Sequence, residues 1–240
     1  MSLATGLAAL ALIAGPAWAD DPAPPPSPAG WTRQATALLL YGADGALLKE
    51  IPLPEPENSD AASREIFGGA SPDRRLAWTL ERRLVWSRGR GKLLESRRQF
   101  QLYGDTGAGL WGDASVDVPE RGDPTQISAD GKVLLLSRRE KDGWRAEAHG
   151  WLGQTIASMG PFPRLIMMAL TPNGRYVLAR WNVPDVSDTH AFLDLRTKDR
   201  HDVASSDLVL GAASIGDDGV VRSGSKIIYS FEVAASTAPK

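Results

Sequence analysis

Five times in 240 residues an Asp or Asn stands directly before a Gly: Asp44-Gly45, Asp130-Gly131, Asp142-Gly143, Asn173-Gly174 and Asp218-Gly219. Asp and Asn tolerate positive φ and Gly has no Cβ to clash, so such pairs form the primed turns whose twist suits antiparallel neighbours. Around them lie short runs rich in Leu, Val, Ile and aromatic residues, at 35–41, 46–53, 75–79, 83–86, 133–137, 145–151, 165–170, 176–181, 191–195 and 227–233. These read as strands. A 3.6-residue apolar period is scarce, and its best candidate, 59–66, spans only about two helical turns. The expected class is all-β, built from short strands.

A longer period is laid over the turns. Asp73, Asp130, Asn173 and Asp218 each follow one apolar run and precede another, at separations of 57, 43 and 45 residues. An extra hairpin at 101–113 would account for the long interval. A repeat of about 44 residues carrying four strands has the period of a propeller blade. The stretches SPDRRLAWTL from Ser71, SADGKVLLLS from Ser128 and TPNGRYVLAR from Thr171 resemble the WD40-like PD40 repeat of TolB-type β-propellers. Arg74 stands where the first copy should have Gly, and Gly216 where the fourth should have Pro or Ala. The resemblance covers 35–233 and implies a small β-propeller of about four to five four-stranded antiparallel blades that binds a partner. Ring closure would have 35–53 complete a blade begun by 208–233, because closure removes exposed strand edges.

The ends differ in composition from this domain. Residues 3–14 are almost wholly apolar and lead through Gly15 and Pro16 to Ala17-Trp18-Ala19, the pattern of a signal peptide over 1–19. The competing reading is an apolar helix of a cytosolic protein. Residues 20–34 begin DDPAPPPSPAG and read as a proline-rich tether, and 234–240 as a disordered tail. No run approaches the roughly 18 apolar residues of a membrane-spanning helix, so no transmembrane span is expected. The expected location is periplasmic or secreted. With no cysteine, neither a disulfide framework nor a thiolate centre is available.

Charge points to one place. The totals nearly cancel, 27 Lys and Arg against 29 Asp and Glu, so no global field draws nucleic acid, and none is expected as a partner. Residues 74–98, however, carry nine cations and two anions. Arg82, Arg83, Arg88, Arg90, Lys92, Arg97 and Arg98 are therefore the candidate partner-binding residues, since clustered guanidinium groups grip carboxylates and phosphates in pairs of hydrogen bonds. The occupant would be an envelope or secreted protein partner, or another anionic ligand of the 74–98 segment. The opposing reading is a solvated hairpin whose charges pair with the acidic loop 54–65. Trp111, in a glycine-rich segment, is the tryptophan expected to be exposed and joins the candidate partner-binding residues, whereas Trp78, Trp86, Trp144, Trp151 and Trp181 fall in or beside strands and read as packing residues.

Motifs that carry chemistry are few. Residues 107–112 match G-x-G-x-x-G, but no helix follows, so a glycine-rich hairpin is the better reading. Ser223 and Lys226 match S-x-x-K without the helix start or companion motifs that would make the serine a nucleophile. His149, His190 and His201 lack metal-ligand spacing and read as isolated surface residues, and the paired acids, Asp217-Asp218 and Glu55 with Glu57, as turn formers. No catalytic residue, metal ligand set or cofactor is expected. The functional expectation is an exported, non-catalytic propeller serving as a protein–protein interaction module of the cell envelope. The alternatives are a propeller enzyme acting on glycan or peptide through channel carboxylates, and a structural subunit of a larger envelope assembly.

Overall fold

The computed structural model describes residues 29–87, 89, 91–183 and 188–232. The expected signal peptide, the first nine residues of the expected tether, the expected tail, Arg88 and Arg90 lie outside the described residues. Within them every sheet is antiparallel and a meander in chain order, and two 3-10 turns, Ser205–Asp207 and Val209–Gly211, lead from the fourth sheet to the fifth. The first holds β1 (Gly30–Arg33), β2 (Ala37–Tyr41) and β3 (Leu47–Pro52). The second holds β4 (Glu57–Asn58), β5 (Ala62–Ala70), β6 (Ala77–Trp86), β7 (Leu93–Tyr103) and β8 (Gly109–Asp113). The third holds β9 (Thr125–Ile127), β10 (Val133–Glu140), β11 (Gly143–Gly150) and β12 (Thr155–Phe162). The fourth holds β13 (Arg164–Leu170), β14 (Tyr176–Asn182), β15 (Thr189–Asp194) and β16 (Arg200–Ala204). The fifth holds β17 (Ser214–Ile215), β18 (Val220–Ser223) and β19 (Lys226–Ser230).

The repeated turn is one hydrogen-bonded unit. In the third sheet Ser128 Oγ donates to Asp130 Oδ1 at 2.8 Å and accepts from Val133 N at 3.0 Å, while Asp130 Oδ1 also accepts from Lys132 N at 3.1 Å. Ser71, Asp73, Arg75 and Leu76 make the same set after β5, and Thr171, Asn173, Arg175 and Tyr176 after β13. A hydroxyl and a carbonyl-type oxygen two residues apart thus satisfy the amides that the reversal would leave unpaired.

The three inner sheets pack against a neighbour on each face, the third and fourth most completely, which explains the unbroken apolar runs. In Leu134-Leu135-Leu136, the outer two join Trp78, Leu80 and Phe100 of the second sheet, while Leu135 joins Leu165, Val177 and Ala191 of the fourth. Tyr176 and Leu178 likewise face the fifth sheet, Val177 and Ala179 the third. Trp31, Leu38 and Leu40 connect the first sheet to Ala77 of the second. Side chains alternate across a strand, so a strand buried on both sides is apolar throughout. Each fully buried leucine contributes about 2 kcal/mol.

Several expectations are corrected. The strands are not uniformly four to a sheet; the sheets have three, five, four, four and three. No strand of the first sheet pairs with the fifth among the described residues, so 35–53 does not complete a blade begun by 208–233. Residues 59–66 are not helical but fall between and within β4 and β5, because one face of β5 packs on the first sheet. The runs 75–79 and 83–86 are a single strand, β6; its charged centre, Glu81-Arg82-Arg83, extends past the neighbouring sheet instead of turning. The long interval after Asp73 reflects this long β6–β7 pair and the connection from β8 to β9. Strand β1 lies within 20–34, the stretch read as tether, and is tied down by Trp31, which is 1% exposed.

The departure of Arg74 from the turn pattern has a structural reason. It takes the left-handed conformation, with φ of 64°, where its siblings have glycine. In return its carbonyl accepts from Trp31 N at 2.8 Å and its Nε donates to Trp31 O at 3.0 Å, with the guanidinium also reaching Gly30 O and Thr32 Oγ1. Arg74 thereby closes the edge of β1 that no strand covers. Gly30 is required opposite it, since a Cβ there would sit 2.6 Å from Arg74 O. Arg74→Gly should relieve about 1 kcal/mol of backbone strain yet destabilise the protein by about 1–2 kcal/mol through the lost bonds. Denaturant melts would show the net loss, and hydrogen exchange should accelerate first at residues 31–33. Unchanged exchange there would sink this account of the edge.

Candidate functional site: a two-faced basic hairpin and a turn-lined hollow

The pairing register sorts the basic segment into two faces of the second sheet. On the face toward the third sheet, Glu65, Arg82 and Arg98 lie side by side across β5, β6 and β7. Arg82 Nη2 and Nε bond Glu65 Oε2 at 2.5 and 3.0 Å, and Arg98 Nη1 bonds Asp117 Oδ2 at 2.9 Å. Asp117 is buried, and its backbone N donates to Ser137 O of β10, so these charges fasten the second sheet to the third. On the opposite face Arg64, Arg83 and Arg97 stand in one row. Arg64 Nε bonds Glu81 Oε1 at 2.8 Å, whereas no carboxylate lies within ion-pair distance of Arg83 or Arg97 among the described residues. Lys92 is exposed, its backbone N donating to Ser87 Oγ. The loop 54–65 thus neutralises part of the segment, through Glu65, and leaves the other face charged.

Trp111 is half-buried instead of exposed. It wedges between the second and third sheets, 5.4 Å from the Phe100 ring and 5.8 Å from His149, and its Nε1 donates to Trp151 O at 3.1 Å. The glycines around it form the β7–β8 hairpin, with Gly107 at φ of 78° closing the turn. Among the described residues the tryptophan that faces solvent most is Trp151, 45% exposed, in the turn between β11 and β12. With Leu110 it lines a hollow of about 340 Å³ whose other walls are the repeated turns, bearing Asp73, Arg75, Asp130 and Lys132, and the exposed Asp105. Hydrogen bonds from Lys132 and Ser128 hold Asp130 at about 2.

Three groups at the junction of the second and third sheets escaped the sequence reading. Arg138 of β10 sits between Asp113 Oδ2 at 3.3 Å and Glu147 Oε2 at 2.5 Å, joining the second sheet to the third. Glu147 also accepts from Ser158 Oγ at 3.1 Å and faces His149 Nε2 at 3.2 Å. His149 and His190 are buried, contrary to the surface role expected of them, and His201 stacks on Tyr229 with centroids 3.9 Å apart. The only signal was the spacing Glu147-x-His149, which puts both on one face of β11. His190 Nδ1 lies 3.3 Å from Ser205 Oγ, but its Nε2 has no hydrogen-bond partner among the described residues, so the pair lacks the orienting third group of a nucleophile. Ser223 is buried, donating to Ala212 O and accepting from Val209 N, and holds a loop.

No family model matches the chain, and no curated protein matches it by sequence. Solved structures that resemble it include the β-propeller domain of the Trilobed protease from Pyrococcus furiosus, with 9% identity and a TM-score of 0.39 over 53% of this chain and 39% of the other. TolB from Acinetobacter baumannii has 14% identity and a TM-score of 0.40 over 70% and 40%. A prolyl endopeptidase has 14% identity and a TM-score of 0.42 over 76% and 28%. The chain spans less than half the length of each of these three.

Burial pushes the Glu147 carboxyl up, but hydrogen bonds from His149, Arg138 and Ser158 and the Arg138 charge outweigh it and hold the group at about 2. A carboxyl depressed in the folded state contributes stability that is complete above its unfolded value, near 4.5, and is lost as pH falls toward about 2. Glu147→Gln should therefore cost about 2 kcal/mol at neutral pH, because the half-buried Arg138 loses its shortest carboxylate contact and keeps only Asp113 and Glu140. It should also flatten the stability profile between these two pH values. Melts from pH 2 to 7 that superpose for variant and wild type would contradict this.

Proposed function

We propose that this chain is an exported, non-catalytic interaction module, a small propeller of four to five blades that presents its turn-lined rim to a protein partner of the cell envelope. The carrying observation is the hollow between the second and third sheets. There Trp151 and Leu110 offer apolar surface amid the charges of Arg75 and Asp105, which have no ion-pair partner among the described residues, and the neutralised pair of Asp130 and Lys132. An exposed tryptophan ringed by charged groups has the make-up of a binding hot spot, which gains most when water is excluded around it. The two-sided burial of successive meanders supports the propeller reading, and the apolar run at 3–14 with its Ala17-Trp18-Ala19 end supports export.

Trp151 lies on a turn and its ring fills no core, so Trp151→Ala should leave the melting temperature nearly unchanged. The same change should weaken capture of a partner from envelope extract by about tenfold or more. Equal capture by wild type and variant would remove the rim from the binding surface.

A further inference from the structure

The first sheet is shorter than the second, and the strands β5, β6 and β7 run on beyond it. The face they leave uncovered starts where Ile51 and Pro52 of β3 end, beside Ile66 and Tyr103, and continues past Glu81 to Arg83 and Arg97. Three adjoining hollows follow this line, of about 310, 120 and 420 Å³, and Glu81 lines all of them. They form one groove, largely polar, with Ile51, Pro52, Ile66 and Tyr103 gathered at one end and Arg83 and Arg97 toward the other.

Arg83 and Arg97 are directly opposite on neighbouring strands, and Arg64 is opposite Arg83 on the other side. Like charges at such positions repel, and the usual relief is an opposite charge between them. Glu81 provides it for Arg64 alone. Glu95, on the same face of β7, is exposed and lies outside ion-pair distance of either arginine. Among the described residues Arg97 Nη2 reaches only Gln99 Oε1, at 3.5 Å. Two guanidinium groups with free donors thus converge on the 120 Å³ hollow, whose remaining lining is Glu81 and Gln99.

We propose that this groove binds an acidic peptide segment of a protein partner in extended form, its carboxylates bridging Arg83 and Arg97 and its apolar side chains resting against Ile51, Pro52 and Ile66. The bridging carboxylates replace the missing counter-charge, each accepting paired N–H donors. The apolar end selects the class of ligand: a polyphosphate or sulfated glycan matches the arginines but has nothing to place there. Arg82 and Arg98, already engaged by Glu65 and Asp117, take no part. This site is separate from the rim hollow and does not require that reading to hold.

The test is fluorescence anisotropy of the full chain with a labelled peptide of alternating Glu-Glu and Leu, against the same peptide with Gln for Glu. At low ionic strength the Glu peptide should bind about tenfold or more tightly than its Gln counterpart, and the difference should fall as salt rises. R83Q/R97Q should abolish the preference, R83K/R97K should retain part of it because charge persists without the planar fork, and K226Q should leave it intact. All three variants alter exposed side chains, and melting curves matching wild type would show the fold retained. Equal binding of both peptides, or an R83Q/R97Q variant that binds like wild type, would overturn the proposal. So would heparin oligosaccharide or polyphosphate binding through the same arginines while the peptide fails. Partner capture that still depends on Trp151 in that event would leave the rim reading standing.

Discussion

The contact between successive turns is what the architecture rests on. Ala129 N donates to Pro172 O at 2.8 Å, and Asn173 gives its backbone N and its Nδ2 to Asp217. A Cβ on Gly131 would sit 2.8 Å from Asp73 Oδ2, and one on Gly174 would sit 2.9 Å from Ser128 Cβ. Glycine is therefore needed twice over at these positions: for positive φ within its own turn and for the close approach of the turn next to it. Once turns touch at this spacing, the sheets that emanate from them are held face to face, and the apolar rows between them follow.

Two kinds of adhesive join neighbouring sheets. Between the third and fourth it is mainly apolar, with Phe162 stacked on Trp181 at 5.3 Å, and Gln126 of β9 donates to Met168 O and accepts from Leu170 N of β13. Between the second and third it is mixed, since Arg98 with Asp117 and Arg138 with Asp113 and Glu147 flank the packing of Leu80, Phe100 and Leu134. Buried ion pairs gain little net energy over apolar packing of equal volume, but each is costly to break from one side. The mixed junction is also where the candidate rim hollow lies. A surface built over a charged junction keeps both polar and apolar groups at its edge, which suits recognition better than a sealed apolar seam.

How much of this was legible depended on whether the signal was local. The Asx turns could be read because one short segment contains the donors and acceptors that make them. Strand β5 could not, since Ser63-Arg64-Glu65-Ile66-Phe67 spaces its apolar residues neither by two nor by 3.6; its burial comes from the first sheet on one side and from the third on the other. The cations of 74–98 were all identifiable as charges. Their division into a neutralised face and an open one required the register that sets Arg82 beside Glu65 and Arg83 beside Arg64. A one-residue shift in pairing would exchange the two faces.

From sequence alone came the all-β class, the turn chemistry and the recurrence of about 44 residues, because each is carried by residues close together in the chain. The tertiary structure decided which charges are spent, that Trp151 and not Trp111 meets solvent, and that Arg74 takes the place of a strand along β1. Those outcomes turn on contacts between residues far apart in the chain, such as Arg82 with Glu65, Trp111 with Trp151 and Trp31 with Arg74. Their energies depend on burial and register that only the folded chain creates.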